Sequence, residues 1–252
     1  MATDFSQYNK MPILDKGVNP WFDNKIKKLG LDIKNGFVVE ITNNNSIKIE
    51  NSISENDDYN ANFIKKIYEF HKMKNNGAFP KTGPNAKTAV LDVVRMIDLE
   101  NSTNIWRYKT KRHYLTNMVD FMIDDSNEFW SKLEKGEKEL VDTLIEKSGA
   151  VDTDGPKSLA SKICKYISEM ISPGRDYYYI NDHVVRHVLP YYLNYYGIKM
   201  HSKNKTDFDS ISYVMLFDYL DEIKKKAKVN LSKSEIDHIL WYCYRYQNYD
   251  EI

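Results

Sequence analysis

The sequence has little cysteine, and it lacks long apolar runs and an excess of either charge. Cys164 and Cys243 each stand among apolar residues, so we expect buried free thiols and no disulfide, iron–sulfur cluster or zinc site. No apolar segment approaches the roughly 18 residues that a membrane span needs, and no signal peptide is evident. We therefore expect a cytoplasmic protein without a membrane partner.

Motifs for two common chemistries are also missing. The chain contains no Gly-x-x-x-x-Gly-Lys phosphate loop and no cluster with metal-ligand spacing. His183 and His187 are spaced as two ligands on one helix face, but no third ligand accompanies them. We expect no cofactor and no metal, so nucleotide hydrolysis and metal-dependent nuclease chemistry have little support.

The 36 basic and 36 acidic side chains cancel, but they are unevenly distributed. Residues 120–154 contain four lysines and eleven acids, whereas residues 156–205 contain eight Lys or Arg and three acids. A positive surface on the second segment would neutralise DNA phosphates and make binding salt-dependent. A solvated helix face is the other meaning of such a bias.

Hydrophobic periodicity predicts a mainly α fold, a multi-helix bundle. Helices are predicted at 63–75, from Ala86, at 105–123, at 128–147, from Pro156, from Asn181, at 208–227 and at 231–247. The last of these begins with a Ser-x-x-Glu capping box, formed by Ser232 and Glu235. We expect a helical domain at 61–252 behind an N-terminal extension at 1–60.

The extension shows a different period. Apolar and polar residues alternate from Phe37 to Ile41 and again from Ile47 to Ile49, as in β-strands. Asn43-Asn44-Asn45 between these runs suits a left-handed turn. The pattern predicts a small N-terminal β-hairpin near residues 37–50.

The most informative stretch is Gly155-Pro156-Lys157-Ser158-Leu159-Ala160-Ser161-Lys162, which Asn181-Asp182-His183-Val184-Val185-Arg186 follows after a loop. A glycine–proline pair before an amphipathic run suits a tight turn that leads into a helix. Lys157 would lie in the first helical turn, where exposed N–H groups attract a phosphate. Asp182 would place a carboxylate at the start of the next helix. An ordinary interhelical turn explains the pattern equally well.

These segments resemble the helix-hairpin-helix DNA glycosylases, in which a Gly-x-Gly-x-Lys turn carries the Schiff-base lysine and an Asp-x-His-Val-x-Arg segment follows it. Together with the late Ile236-Asp237-x-x-Leu240-Trp241-Tyr242, they are similar to a bacterial group with the 8-oxoguanine-glycosylase fold. The resemblance covers residues 85–247, and only the short segments quoted are specific.

The resemblance implies a helix-hairpin-helix-like turn at residues 150–157 and an enzyme that flips a modified base out of double-stranded DNA and excises it. It assigns catalytic roles to Asp182 and Lys157. The expected DNA contacts are Gly155, Lys162, His183 and Arg186, together with Lys111 and Arg112 from a basic, aromatic-flanked segment. The expected base pocket comprises Tyr177, Tyr178, Tyr179 and Asn181. We expect a monomer.

Three features depart from the family pattern. The segment Ala150–Gly155 keeps one of the two hairpin glycines and places Asp154 where a phosphate would approach. The loop from Ser172 to Ile180 is longer than the repair enzymes need. Alignment on His-Val-x-Arg selects Asn181 as the catalytic position, whereas alignment on Ile-x-Asp selects Asp182, which we adopt.

The functional alternatives follow from these departures. Members of the bacterial group are associated with phage defence, where a glycosylase removes bulky modified bases, and a long tyrosine-rich loop would suit such a base. The alternative is a non-catalytic nucleic-acid-binding, abortive-infection protein that keeps the fold and has lost the chemistry. Composition alone favours a third possibility, a purely structural helical domain. Lys157 acts either as a Schiff-base nucleophile or as a phosphate contact.

Overall fold

The computed structural model describes residues 20–35, 38–55, 61–100, 103–150, 154–199, 208 and 211–244. These residues form a mainly helical structure, as predicted, with one two-stranded antiparallel sheet. The helices are α1 (Pro20–Leu29), α2 (Asn43–Glu55), α3 (Ala61–Lys74), α4 (Ala86–Glu100), α5 (Arg112–Ile123), α6 (Phe129–Lys135), α7 (Glu139–Ser148), α8 (Asp154–Ile171), α9 (His183–Tyr195), α10 (Tyr213–Ala227) and α11 (Lys233–Tyr242). The strands are β1 (Ile33–Lys34) and β2 (Val38–Val39). Among the described helices, none is long and apolar enough to cross a membrane.

The chain forms two compact units, neither of which is one continuous segment. Unit 1 comprises residues 1–57, 182–211 and 215–252, and unit 2 comprises residues 58–181 and 212–214. The described residues of unit 1 include β1, β2, α2, α9 and α11, and those of unit 2 include α3 to α8. Helix α10 begins in unit 2 and continues in unit 1.

Unit 2 is a helical bundle in which α4 is central. Helix α4 packs against α3, α5 and α8, and α7 packs against α5 and α8. The fully buried side chains of α4 include Val90, Val93, Val94 and Ile97. Their i, i+3, i+4, i+7 spacing places them on one helix face, so burial of that face stabilises the helix in the bundle.

The helix predicted at 105–123 starts later in the structure. Its first part forms two short 3₁₀ turns, Ile105–Arg107 and Lys109–Lys111, and α5 begins only at Arg112. The buried carboxylate of Asp98 accepts hydrogen bonds from the N–H groups of Ile105 and Trp106, each at 2.8 Å. This side chain supplies the acceptors that a preceding helical turn would have supplied.

The helix predicted at 128–147 is divided into α6 and α7. The break lies at Gly136, whose φ is +72°. A Cβ atom on this residue would lie 2.6 Å from the Tyr177 ring. Glycine is therefore required both for the left-handed backbone and for the close approach of the ring.

Unit 1 contains a small β-hairpin, as predicted, and β2 lies within the first predicted strand, but the predicted turn and second strand are wrong. Strands β1 and β2 pair with Ile33 opposite Val39 and Lys34 opposite Val38. The triple asparagine that was expected to form the turn, and the second expected strand after it, belong to α2 instead.

Contacts of Asn45 explain why this segment is helical. The Asn45 N–H donates to Thr42 Oγ1 at 3.1 Å, which caps the helix. The Asn45 side chain accepts from the Asp32 N–H at 2.9 Å and donates to the Asp32 carbonyl at 2.8 Å. Ile49 and Ser52 follow on the same buried helix face. A short run of alternating residues fits a β-strand and an α-helix equally well. The tertiary contacts of Asn45 therefore favour the helix here.

A ring of hydroxyl groups holds β2 within unit 1. The Tyr192 hydroxyl donates to the Val39 carbonyl at 2.9 Å, and the Tyr244 hydroxyl accepts from the Val39 N–H at 3.1 Å. The two hydroxyl oxygens are 3.1 Å apart, so Tyr244 donates to Tyr192. Burial raises the pKa of both phenols well above the ordinary value, which keeps both hydroxyls protonated. The ring satisfies four buried polar groups.

Helix α11 begins with the predicted capping box. The Glu235 N–H donates to Ser232 Oγ at 3.1 Å, and the Ser232 N–H donates to Glu235 Oε2 at 2.7 Å. The helix packs against α2 and α9. The capping box, formed by residues close together in the sequence, therefore fixes the start of α11, whereas α11 packs against helices that are distant in the sequence.

Both cysteines are buried and free, as predicted. Burial raises the pKa of the Cys243 thiol to about 12 and that of the Cys164 thiol further. Because the thiolate is the reactive form, both side chains are inert at neutral pH.

The connection between α7 and α8 is the place of the predicted helix-hairpin-helix-like turn. Helix α7 ends at Ser148, and Gly149 follows with a left-handed φ of +78°. Helix α8 begins at Asp154 and packs against α7. Residues 151–153 lie outside the described residues, so the shape of the turn stays a prediction.

Removal of one hydroxyl tests the ring around Val39. We expect Tyr244→Phe to lower the free energy of unfolding by about 1–3 kcal/mol, because it leaves the buried Val39 N–H without an acceptor. Urea denaturation measures the change. Tyr108→Phe is the control, since this side chain is 57% exposed, and we expect a change within about 0.5 kcal/mol. Equal effects of the two substitutions would contradict a stabilising role for the ring.

Candidate functional site

Asp182 lies at the start of a helix, as the sequence predicts. It is the N-cap residue of α9, and its Oδ1 accepts a hydrogen bond from the Val185 N–H at 2.9 Å. The side chain is half-buried. Within the described part of the chain, its second carboxylate oxygen makes no hydrogen bond. Asp182 therefore combines a fixed position with one oxygen that can meet a ligand.

Asn181, the other candidate for the catalytic position, is placed differently. Its side chain is fully buried, and its backbone N–H donates to Ser161 Oγ at 2.9 Å. A group that meets a substrate must be reachable from solvent. Of the two candidates for the catalytic position, Asn181 is buried and Asp182 is partly exposed.

Lys157 also lies near a helix start, as predicted. It is the fourth residue of α8, and its side chain is half-buried. Gly155 is the second residue of the same helix. Because the first N–H groups of a helix have no partner within it, this end of α8 is suited to an anion.

Two of the side chains that were predicted to contact DNA are buried in the structure. The Arg186 side chain is fully buried and the Lys162 side chain is 8% exposed. Arg186 lies on the face of α9 that also buries Val185 and Leu189. Neither cation can reach a phosphate from solvent in this conformation. His183, by contrast, is exposed, and its ring lies 3.9 Å from that of His187.

The predicted base pocket is also largely buried. Tyr178 and Tyr179 are fully buried, and Tyr177 is half-buried against Gly136. The Tyr178 hydroxyl donates to the Glu137 carbonyl at 3.4 Å, and burial raises the pKa of this phenol well above its ordinary value. A pocket lined by these rings would require the loop to move, because two of the three rings already fill the core.

A buried lysine fastens the same loop. The Lys165 ammonium group donates to Asp176 Oδ1 at 3.1 Å and to the Tyr178 carbonyl at 3.2 Å. It also lies 3.3 Å from Glu169 Oε1, and its side chain is only 5% exposed. A buried charge is tolerated only when it is paired and hydrogen-bonded, as this one is.

Tyr213 holds the next part of the loop. Its hydroxyl accepts from the Tyr179 N–H and donates to the Tyr179 carbonyl, each at 2.9 Å. The carboxylate of Asp142 in turn accepts from the N–H groups of Tyr213 and Val214, at 2.7 and 3.1 Å. The sequence analysis did not identify Lys165, Asp142 and Tyr213 as residues that hold the loop. For Lys165 a signal was present, because a lysine within the apolar face of α8 indicates a buried, paired cation.

The segment Arg107–His113 forms an exposed basic patch, which we call the basic surface. Its exposed basic and aromatic side chains are Arg107, Tyr108, Lys109, Lys111 and His113. No acidic residue occurs from Thr103 to Thr116. The Lys111 ammonium group lies 5.3 Å from the centre of the Tyr108 ring. An exposed aromatic ring among cations is the combination that binds nucleic acid bases and phosphates.

Arg112 belongs to the same segment, but its guanidinium contacts Trp106. Its Nε donates to the Trp106 carbonyl at 2.8 Å, and its guanidinium lies 5.0 Å from the centre of the Trp106 ring. A second guanidinium, that of Arg95, lies 4.5 Å from the same ring. Of the two DNA contacts predicted here, Lys111 is free to meet a phosphate and Arg112 is engaged with the tryptophan.

Metal ligands do not cluster in the part of the chain that the structure describes. No group of three or more His, Cys, Asp or Glu side chains there could hold a metal ion.

The hydroxyl of Tyr213 can be removed to test how the loop is fixed. We expect Tyr213→Phe to increase amide hydrogen exchange across residues 176–181 about tenfold or more, because the N–H and the carbonyl of Tyr179 lose their hydrogen bonds to the Tyr213 hydroxyl. Hydrogen exchange with mass spectrometry measures the change. Tyr114→Phe is the control, since no hydrogen bond of this hydroxyl occurs among the described residues. Unchanged exchange in Tyr213→Phe would show that other contacts fix the loop.

Comparison with known proteins adds no assignment to this geometry. No family model matches the chain. Neither the curated proteins nor the solved structures gave a match.

Proposed function

We propose that this chain is a DNA glycosylase that flips out and excises a modified base, with Asp182 as its catalytic carboxylate. One observation carries the proposal: Asp182 is half-buried at the start of α9, with one oxygen bound to the Val185 N–H and the other without a partner among the described residues. The short segments shared with helix-hairpin-helix glycosylases support the same residue. Fixed geometry and an available oxygen are what a carboxylate needs to stabilise a developing cation.

The chemistry follows from the bond that breaks. As the glycosidic bond is cleaved, positive charge develops on the sugar, and the Asp182 carboxylate would stabilise it. The base must first leave the stack, at a cost that is lowest for damaged or unpaired bases. Water activated by Asp182 would then attack the sugar carbon, unless an amine attacks instead.

Lys157 is the amine with the strongest claim to such a role. In its neutral form it would attack the sugar carbon and form a Schiff base, whereas in its charged form it would bind a phosphate. Its position in the first turn of α8 supports either role. Borohydride trapping distinguishes them, because only a Schiff base is reduced to a stable adduct.

The cellular setting is part of the proposal. The resemblance to the bacterial group supports a cytoplasmic enzyme that acts on modified bases of phage DNA. The burial of Tyr178 and Tyr179 removes the argument that a tyrosine-rich loop widens the pocket for a bulky base. Substrate tests therefore include ordinary, oxidised and bulky modified bases on equal terms.

Substitution of Asp182 tests the chemistry. We expect Asp182→Asn to slow base release by about a thousandfold, because the charge that stabilises the transition state is lost. DNA affinity should stay within about twofold, since asparagine is an equally good N-cap and the helix start is preserved. Asp120→Asn, at an exposed salt bridge with Lys87, is the control. Base release that is unchanged in Asp182→Asn would overturn the catalytic assignment.

A second candidate function is non-catalytic binding of nucleic acid, as in an abortive-infection protein. The observation in its favour is that Arg186, Lys162 and two pocket tyrosines are buried, whereas the basic surface is exposed. Binding through that surface requires no catalytic group. DNA binding by wild-type protein, without release of any base tested, would select this function.

Charge reversal on the basic surface tests DNA binding under either function. We expect Lys109→Glu combined with Lys111→Glu to weaken duplex binding about tenfold or more, because two phosphate contacts are lost. The slope of log affinity against log salt should fall by about 2, at roughly 0.9 per contact. Lys225→Glu with Lys226→Glu, on the exposed side of α10, changes net charge equally and serves as the control. Equal losses in both variants would indicate that only net charge matters.

A further inference from the structure

A cleft of about 350 Å³ lies within unit 2, between α3 and the C-terminal half of α8. Its apolar lining includes Ile64 from α3, Met170 from α8 and Pro173 from the turn that follows. This volume is at the lower end of the range of about 300–1,000 Å³ that small-molecule sites occupy. An apolar wall of this size suits a flat ring system rather than a chain of polar groups.

The charged residues at the rim of the cleft are not equivalent. Glu69 is paired with Lys72, at 3.4 Å. Glu169 is paired with the buried Lys165, at 3.3 Å. Both rim carboxylates therefore already have a cation, and a cationic ligand would have to compete with these lysines.

Lys65 differs from the other charged residues at the rim because it is not part of an ion pair among the described residues. It lines the cleft, its side chain is exposed, and no hydrogen bond or ion pair of its ammonium group occurs among the described residues. Helix geometry places it beside Ile64 and Glu69 at the cleft, whereas its neighbour Lys66 lies 5.3 Å from the Phe63 ring. The cation without a partner at the cleft is thus suited to a negative group of a ligand.

We infer that the cleft binds a small ligand with a flat apolar body and one anionic group, which pairs with Lys65. An aromatic carboxylate and a nucleoside monophosphate share this chemistry. The ring system would pack on Ile64, Met170 and Pro173, and the anion would remain near solvent at the rim. Neither Asp182 nor Lys157 lines the cleft, so the inference does not depend on the proposed function.

Binding of 1-anilinonaphthalene-8-sulfonate to the folded protein, followed by its fluorescence, tests the inference. We expect Lys65→Glu to weaken dye binding about tenfold, which corresponds to about 1.4 kcal/mol. Lys66→Glu is the matched control, since it places the same charge one residue away, and its affinity should stay within about twofold. Equal weakening in the two variants, or no binding by wild-type protein, overturns the inference.

A second pair of variants tests the apolar wall without changing charge. Met170→Trp should fill the cleft and weaken dye binding about tenfold, whereas Met73→Trp, at a side chain that is 81% exposed, should leave it unchanged. Competition by 2-naphthoate or by adenosine 5′-monophosphate identifies the anion, and adenosine alone should compete poorly. Dye binding that survives Met170→Trp, or that neither anion displaces, overturns the inference.

Discussion

Buried irregular backbone is the constraint on which much of unit 2 depends. The chain between α8 and α9 has no helix or strand to satisfy its N–H and C=O groups, yet Tyr178, Tyr179 and Asn181 are fully buried within it. Side chains from elsewhere therefore supply the partners: the Tyr213 hydroxyl, the Lys165 ammonium group and Ser161 Oγ. Each unpaired group would cost about 1–3 kcal/mol, so these three side chains help to make the burial of the segment possible.

This constraint bears on function because the segment ends next to Asp182 in the chain. Ser161 fixes the N–H of Asn181, the residue immediately before the N-cap of α9. A catalytic carboxylate needs a defined backbone position, and such second-layer contacts provide one. The tyrosine-rich loop is therefore buried and held by hydrogen bonds, whereas its composition suggested a wide loop that lines a ligand site.

The number of basic residues in a segment also differs from the number of cations that the segment exposes. The basic bias of residues 156–205 comes from eight Lys or Arg residues, but Lys162, Lys165 and Arg186 are buried. Buried cations contribute little to the field that a DNA phosphate meets, so the bias overstates the positive surface of this segment. The basic surface at Arg107–His113 lies outside that segment, and the side chains of Arg107, Lys109, Lys111 and His113 are exposed there. The exposed cations of the basic surface and the half-buried Asp182 consequently lie in different parts of the chain.

The sequence by itself determined the features that depend on neighbouring residues. Helical periodicity located α3, α4, α8 and α9, the pair Ser232 and Glu235 located the start of α11, and Pro173-Gly174 marked the end of α8. Capping and periodicity act within one or two helical turns, so a single segment contains all the information they need. Asp182 and Lys157 were placed at helix starts for the same reason.

Only the tertiary structure decided the features that depend on distant partners. Asn45 joined a helix because its side chain meets Asp32, and Gly136 divided a helix because the Tyr177 ring occupies the space beside it. Arg186 and Lys162 have the side chains of DNA contacts, yet the packing of their helices buries them. No local pattern records which face of a helix the rest of the chain will cover, because burial is a property of the assembled core.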